Sequence, residues 1–599
     1  FLFRNFHKYL SACPNAASKM SVVKKFVNFP ESSVPDSLKG LVMSDPGIQF
    51  SQKNFRVVIR SDLDDVKEKN IVTFISGGGS GHEPFAAGFV GFNGLSGAVS
   101  GDVFASPSSE AVYHALQEIY SPAGSIVYVI NYTGDRLNFG MAVERFKAET
   151  KKNNVDLVYI DDDVALEDKA GITVGGRGLA GALLLFQVAG YLSEVKSTPF
   201  EELIDVSREI VKNTGTFGVS LESCAIPGKP RMFVLKESEM ELGLGIHGEP
   251  GCKRSSIKSA EEVVDEILQK LTGSKRLNLN KWDRIIVFLN NLGSTSQIEM
   301  NILSGEVLQW LAVNGFHNVV RFVVGTGMTS IDGHGFSISI LKILKDEWES
   351  AFDYSSSISR RLTVLNPKIT QSLSTFSLPV PQSDEPSVPP QGASVSSETA
   401  SKIRSAVKSA AFALKSKEQD LNELDGCGDG DCGTTWKTAA EGILNYIGEG
   451  KIDFRHPQTA LLQLARIFEK SVGGTTGAIY AMLLTAGSPN FEHEAHGESL
   501  HAALKQGLEA VMKYGHAQPG HRTMVDPLDA AIKASESWNT KEDWQKAVKA
   551  AEDTAEATAT MEAKSGRASY TSSDHQNKPD PGAIAVGIWM RAIFDTFYG

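Results

Sequence analysis

Between residues 39 and 350 the chain alternates short runs of β-branched and aromatic residues with stretches whose apolar positions recur at helical spacing. "IVTFIS" (71–76), "SIVYVINY" (125–132), "DLVYID" (156–161), "RIIVFLNN" (284–291) and "NVVRFVVG" (318–325) predict buried strands. Most of these runs lead through a polar or glycine-rich turn toward a helix. That alternation predicts an α/β region with a largely parallel sheet. Turns clustered around 170–180 and 213–230 divide it into two linked α/β lobes.

The pattern changes after residue 370. Residues 371–399, "QSLSTFSLPVPQSDEPSVPPQGASVSSET", hold proline, serine and other polar residues with little to bury, and predict an extended linker. Over 400–599 the strand-like runs vanish. "TASKIRSAVKSAAFALKSKEQDLNELD", "PQTALLQLARIFEKSV", "ESLHAALKQGLEAVMKYG", "PLDAAIKASESW", "KEDWQKAVKAAEDTAEATATM" and "PGAIAVGIWMRAIFDTF" carry apolar residues at helical spacing. About eight helices are expected, forming an all-α bundle or barrel with its chemistry on the loops at one end. The expected organisation is a 20–370 α/β part in two lobes, a 371–399 linker and a 400–599 helical domain.

A length of 599 residues exceeds what one hydrophobic core serves. The net charge of −12 argues against nucleic acid or an anionic membrane as the main partner. No apolar run reaches the roughly 18–20 residues of a membrane span. The five cysteines are too few for a disulfide framework, which fits a reducing, cytoplasmic setting. Residues 1–19 lack acidic residues and stop just before Met20. They are expected to be a leader or transit-like segment outside the fold.

Four loops carry candidate chemistry. In "ELGLGIHGEPG" (241–251) a single imidazole, His247, stands among glycines, which allow a reachable loop or a simple turn facing water. "SGGGSGHEPFAAGFVG" (76–91) is expected to follow a strand and open a helix. That is the geometry of a polar-ligand cradle, but also of a tight structural turn, and it lacks a Walker lysine. "NYTGDRLNFG" (131–140) places Asp135 in a turn just before a helix, as an N-cap or a site residue. Because parallel sheets offer ligands the carboxyl ends of their strands, His82 and Asp135 are expected to share one crevice. In "LNELDGCGDGDCGTTW" (421–436), glycines let Asp425, Asp429 and Asp431 converge. Unit charges about 4 Å apart repel by roughly 4 kcal/mol at an effective dielectric near 20, so carboxylates that do converge need a hard cation, Mg²⁺ or Ca²⁺; a solvated acidic loop is the alternative. Position twelve from Asp425 is Trp436, which excludes an EF-hand, and Cys427 and Cys432 lack the partners of a zinc site.

"GGGSGHEP", "NYTGD", "GLGIHGEPG", "LNELD…GDGDCGTT", "GGTTGAIY", "RTMVDPLDA", "GRASY" and "DPGA" occur in the order found in single-chain, ATP-dependent dihydroxyacetone kinases. The chain also resembles their animal and plant relatives, the triokinase/FMN cyclases, from about residue 20 to the end. The resemblance implies that His247 adds covalently to the carbonyl carbon of a ketose or aldose, forming a hemiaminal. It implies that His82 and Asp135 move protons as acid and base, and that Gly79, Ser80 and Gly81 line the substrate. It assigns two Mg²⁺ ions to Asp425, Asp429 and Asp431, and ATP to the helical domain. The implied nucleotide positions are Cys432, Gly433, Thr434, Thr475, Thr476, Gly515, Thr523, Met524, Arg567, Asp580, Pro581 and Gly582.

The implied activity is phosphorylation of dihydroxyacetone and glyceraldehyde by a homodimer in the cytoplasm. Two alternatives are cleavage of FAD to cyclic FMN and AMP at the same metal site, where Mn²⁺ is a second candidate ion, and a non-catalytic ligand-binding regulator. Two departures stand out. Three residues separate Asp425 from Asp429 where relatives have four, and Ile130 occupies a position where many relatives carry lysine.

Overall fold

A computed structural model describes residues 22–165, 167, 175–249, 251–369, 373, 389–425, 430–472, 474–565 and 578–599. The leader expected at 1–19, Asp429 and Arg567 lie outside these residues. The chain forms two compact units that divide within the 371–399 segment.

The first unit contains two sheets. In the first, β1 (Ile48–Phe50), β2 (Val57–Arg60), β3 (Thr73–Ser80), β4 (Gly97–Val103), β5 (Ser125–Ile130) and β6 (Val155–Ile160) are ordered β1-β2-β4-β3-β5-β6. Strands β4, β3, β5 and β6 run parallel, and β1 and β2 close one edge antiparallel. The second comprises β7 (Thr214–Glu222), β8 (Glu239–Leu242), β9 (Lys253–Ser256), β10 (Ile285–Asn291), β11 (Val319–Gly325), β12 (His334–Lys342) and β13 (Thr363–Leu365). Its order is β13-β11-β10-β12-β7-β8-β9, and β10–β11 is its one parallel pair. The expectation of a largely parallel sheet therefore holds for the first lobe and fails for the second. Strands β7 ("TGTFGVSLE") and β12 ("HGFSISILK") interleave Gly, Ser and Thr with apolar residues. Their weak apolar runs concealed an antiparallel pair at the heart of that sheet.

The helices of this unit are α1 (Ser33–Ser44), α2 (Leu63–Glu68), α3 (Ser109–Ile119), α4 (Thr133–Thr150), α5 (Ala182–Glu194), α6 (Phe200–Lys212), α7 (Ala260–Thr272), α8 (Gln297–Val313) and α9 (Asp346–Ser350). Alternation along β5 sends Ile126, Tyr128 and Ile130 to a core shared with α5 and α6, and Val127 and Val129 to one shared with α3 and α4. Along β10, Ile286 and Phe288 join the same α5 core, while Ile285, Val287 and Leu289 face α7 and α8. Helix α5 is thus the layer between the sheets. Its sequence is apolar nearly all round, and every residue but Glu194 is buried.

Helix starts follow local chemistry. Ser259 and Ser296 form capping boxes with Glu262 and Glu299 at α7 and α8. "SGGGSGHEP" departs from expectation: β3 runs through Ser80, and the chain continues through a short 3-10 turn at Ala87–Phe89 into β4 without opening a helix.

The second unit is all-α, with α10 (Ser397–Ser416), α11 (Glu418–Leu424), α12 (Cys432–Gly448), α13 (Pro457–Ser471), α14 (Gly474–Gly487), α15 (Gly497–Gly515), α16 (Val525–Lys533), α17 (Lys541–Ala557) and α18 (Pro581–Tyr598). The stretch of helical spacing from 399 to 425 forms two helices, α10 and α11, which meet at Lys417. The helices enclose an apolar cavity of about 560 Å³, lined among others by Ile403, Trp436, Leu464 and Trp589. No helix among the described residues is long and apolar enough to cross a membrane.

Candidate functional site

The first-unit site begins where β3 ends. A Cβ on Gly77 would sit 2.1 Å from the Val99 carbonyl oxygen, and one on Gly79 would sit 2.8 Å from Ala105 N. These glycines let β3 press against β4 and its following turn. The Ser80 hydroxyl is committed to the Gly101 carbonyl at 2.8 Å, which leaves Gly79 and Ser80 only backbone groups to offer a ligand. Gly81, at φ +101, lies against the Phe104 ring, where a Cβ would approach to 2.7 Å.

His82 is carried by the turn after β3 and held by the second lobe. Ile331 N donates to the Gly81 carbonyl at 2.8 Å, and Thr329 Oγ1 donates to the Glu83 carbonyl at 3.0 Å. His82 Nδ1 lies 2.9 Å from the Thr329 carbonyl oxygen. A carbonyl can only accept, so Nδ1 carries the proton and Nε2 presents a lone pair. That Nε2 is buried without a hydrogen-bond partner. Burial, then the nearby His247, brings the His82 pKa down to about 3, so the ring is neutral at pH 7.

His247 sits in the loop joining β8 to β9, and the structure brings it to His82. Their ring centroids are 4.9 Å apart, edge to face. Phe104 and Tyr132 enclose the imidazole further, at 5.3 and 4.4 Å. The imidazole is half-buried in a crevice, not free in a surface turn. The flanking glycines have separate reasons. Gly248 takes φ +71, and a Cβ on Gly245 would fall 1.7 Å from Glu249 Oε1. Burial holds the His247 pKa below its ordinary 6.5, with Arg177 acting the same way against Glu249.

Asp135 lies inside the first turn of α4, not in a turn before it, and does not cap the helix, whose N-cap Tyr132 makes no side-chain cap. Its carboxylate is 4 % exposed and lies toward Gly78, where a Cβ would be 3.8 Å from Oδ1. Oδ1 has no hydrogen-bond partner. Burial raises its pKa to about 6, against a smaller opposing effect from Ser106. His82 Nε2, in the turn after β3, and Asp135 Oδ1, in the first turn of α4, are thus two orphaned acceptors, and buried polar atoms are rarely left so without a ligand to meet them. Ile130 is buried in the α5 core, with no charge at that position.

Several supporting residues escaped the sequence reading. Asp161, Asp162 and Asp163 follow β6 and hold two other segments, the one after α7 and the one ahead of α5. Asp161 pairs with Arg276 at 2.6 Å, Asp162 accepts from Leu179 N and Gly181 N ahead of α5, and Asp163 pairs with Arg177 at 2.7 Å. A run of three aspartates after a strand was the available signal.

In the second unit the N-termini of α12 and α18 lie near one another, and the middle of α14 packs against α12. Trp436, one turn into α12, packs edge-on against Tyr480, one turn beyond Thr476 in α14, at 4.7 Å. Asp580 caps α18 by accepting from Ala583 N at 2.8 Å. Asp580 is half-buried, and desolvation raises its pKa to about 6, with Asp425 adding to the rise. Burial, together with Asp425, Asp580 and Asp431, pushes the Cys432 thiol up to about 12. Asp425 Oδ2 accepts from the backbone N–H groups of Asp431 and Cys432, each at 3.2 Å. Asn422 Oδ1 accepts from Gly433 N at 2.7 Å and Thr434 N at 3.1 Å, a helix-start contact that the sequence reading missed. On the far side, Asp526 accepts from Gly520 N and Thr523 N, and buried Arg522 donates to the Lys578 carbonyl. Gly582 approaches Met524, with a Cβ 3.8 Å away. Thr475 is exposed in the first turn of α14, and Gly515 ends α15.

Asp425 and Asp431 precede α12 and Asp580 caps α18, so hard carboxylate oxygens, the kind Mg²⁺ prefers, stand at helix N-termini that suit phosphate. Among the described residues no three His, Cys, Asp or Glu side chains are gathered closely enough to form a metal cage, and Asp429 lies outside them.

Comparison with known proteins matches the Dak1 domain over residues 39–359 and the DAK2 domain over residues 426–595. The mouse triokinase/FMN cyclase is 36% identical over 586 residues, covering 96% of this chain and 98% of that protein. The dihydroxyacetone kinase of Komagataella pastoris is 33% identical, over 96% and 98% of the two chains. The crystal structure of the C. freundii dihydroxyacetone kinase with AMP-PNP and Mg²⁺ superposes with a TM-score of 0.65 at 30% identity, over 96% of this chain and 99% of that one. Both units are matched, in the same order and over nearly the full length of these relatives, and the chain belongs to the single-chain dihydroxyacetone kinase and triokinase/FMN cyclase family.

Proposed function

We propose that the chain transfers the γ-phosphoryl group of ATP to a hydroxyl of dihydroxyacetone, and also of glyceraldehyde, after capturing the substrate carbonyl on His247. The observation that carries this reading is His247 held edge-on to His82, whose Nε2 is, like Asp135 Oδ1, buried without a hydrogen-bond partner. The lone pair of the His247 imidazole adds to the carbonyl carbon as the C=O π bond opens. The imidazole loses its N–H proton and the carbonyl oxygen gains one. His82 is suited to shuttle it, because Nε2 can take a proton while Nδ1–H stays bonded to Thr329. Asp135 accepts the proton of the attacking hydroxyl as its oxygen bonds to the γ-phosphorus and the bond from phosphorus to the bridging oxygen of ADP breaks. Glycerol lacks a carbonyl and is excluded by this anchor.

The domain assignment follows the same reading, with residues 20–370 binding the ketose, 371–399 linking and 400–599 holding ATP. Asp425, Asp429 and Asp431 would hold two Mg²⁺ ions, which when bound neutralise charge on phosphate oxygens. Cys432 to Thr434, Thr475 and Thr476 would meet the phosphates. Gly515, Thr523 and Met524 would line the adenine, with Arg567 and Asp580 to Gly582 completing the pocket. The enzyme is proposed to act as a cytosolic homodimer.

A second reading, favoured by the FMN cyclase activity in the names of the mammalian relatives, is cleavage of FAD to cyclic FMN and AMP at the same metal site, with Mg²⁺ or Mn²⁺. Incubation of the purified chain with dihydroxyacetone, glyceraldehyde, glycerol and FAD, each with Mg²⁺ or Mn²⁺, tests both. ATP consumption with the two carbonyl substrates and not glycerol is expected, and equal turnover of glycerol would overturn the kinase reading.

A further inference from the structure

The loop that carries His247 is built on the second sheet, yet the groups it must meet stand on the first. One side chain spans the gap. Arg177 Nε donates to Asp163 Oδ2 at 2.7 Å, anchoring the guanidinium behind β6. Its Nη2 donates to the Gly243 carbonyl at 2.6 Å, at the start of the His247 loop, and Nη1 reaches Glu249 Oε1 at 3.3 Å, at the far limb. Glu249 turns its other oxygen, Oε2, to the backbone N–H of His247 at 3.0 Å. Both limbs of the turn are therefore tied to one planar fork, and the last tie reaches the peptide of His247 itself. The Asp163 and Arg177 side chains are only 1% and 15% exposed, so the strut is shielded from water at its root. Gly245 is shaped to this arrangement, since a Cβ there would lie 2.9 Å from Arg177 Nη1 as well as against Glu249.

We infer that Arg177, held by Asp163 and acting through Glu249, is a positioning residue that sets the His247 imidazole at attack distance from a carbonyl bound between His82 and Asp135. This rests on the proposed role of His247. The three hydrogen bonds leave from Nε, Nη1 and Nη2 in the fixed directions of a planar fork, which an ammonium, with its three N–H groups on one tetrahedral nitrogen, does not reproduce. Arg177 touches no reacting atom in this scheme. Its loss should weaken covalent capture and leave the nucleotide half of the reaction alone.

The test uses the full chain with dihydroxyacetone labelled with ¹³C at the carbonyl, followed by NMR for the tetrahedral carbon of the adduct, alongside steady-state kinetics. In Arg177→Met, adduct occupancy at a fixed substrate concentration is expected to fall about tenfold, with KM for dihydroxyacetone rising by a similar factor, as loss of a charge-assisted hydrogen bond predicts. KM for ATP should stay at the wild-type value. Arg177→Lys should restore less than half of the occupancy. If Arg177→Met does not fold, Glu249→Gln decides, with an expected severalfold loss of adduct at unchanged KM for ATP. His247→Ala separates the two claims. If it keeps the tetrahedral signal, the reading of the site is wrong whatever Arg177 does. If it loses the signal while folded Arg177→Met or Glu249→Gln keeps wild-type occupancy, the positioning role is overturned.

Discussion

Replacing Asp135 by asparagine should make the first unit more stable above pH 6 while abolishing phosphoryl transfer. Burial raises the Asp135 carboxyl from its ordinary value of 3.8 to about 6. At 1.36 kcal/mol per pH unit, that difference corresponds to about 3 kcal/mol. The folded pKa lies above the unfolded one, so between pH 4 and 6 the folded state binds more protons, and stability falls as pH rises through that window. The penalty is complete above about pH 6 and absent below about pH 4. Asparagine cannot ionise and escapes it. Peptide-resolved hydrogen exchange over β5 in increasing urea, at pH 4 and pH 8, follows the first unit without the second. Packing changes caused by the substitution are common to both pH values and cancel. The expected result is that Asp135→Asn gains up to about 3 kcal/mol over wild type at pH 8 relative to pH 4, with kcat lowered on the order of 10²-fold or more. A stability difference that does not vary with pH, or one that favours the variant at pH 4, would refute the assignment of a buried, unpartnered carboxylate at this position.

The same carboxyl should shape activity: kcat/KM for dihydroxyacetone is expected to fall about tenfold per pH unit below about pH 6 as Asp135 protonates, and a profile flat to pH 5 would contradict its role as base. Asp425→Asn and Asp431→Asn should each weaken Mg-ATP binding and reduce both kinase turnover and FAD cleavage, measured by nucleotide titration and product assay. If Asp425→Asn alone leaves all three unchanged, Asp425 serves only as the acceptor for Asp431 N and Cys432 N. Mixing His247→Ala with Asp431→Asn subunits, each inactive alone, should restore activity after exchange if the helical unit serves a partner's ketose site. Verified heterodimers without recovery would exclude transfer between subunits.

Much of the fold was legible where runs of β-branched and aromatic residues mark a strand. Strands β3, β5, β6, β10 and β11 begin within two residues of the starts such runs predict. Strands β7 and β12 were not, because Ser and Gly at alternate positions erase the apolar run while backbone pairing still holds them in the sheet. The site divides in the same way. His247, His82 and Asp135 announce themselves through glycines and an odd polar residue at a strand end, and the fold brings His82 and His247 to 4.9 Å across two sheets. Their supports do not, because Asp163, Arg177 and Glu249 come from three separate segments and are related only once both lobes are built. The expected helix after "SGGGSGHEP" failed for a related reason: those glycines serve the close approach of β3 to β4 and its following turn, a contact that glycine content alone does not distinguish from a phosphate cradle.

Covalent capture of the substrate by His247, between His82 and Asp135, is decided by a crystal structure of the full chain soaked with dihydroxyacetone. The expected density shows a tetrahedral substrate carbon joined to the His247 imidazole at about 1.5 Å, the length of a C–N single bond, with its oxygens within reach of His82 Nε2 and Asp135. A planar ketone lying beyond roughly 3 Å from the imidazole, in van der Waals contact only, would contradict it.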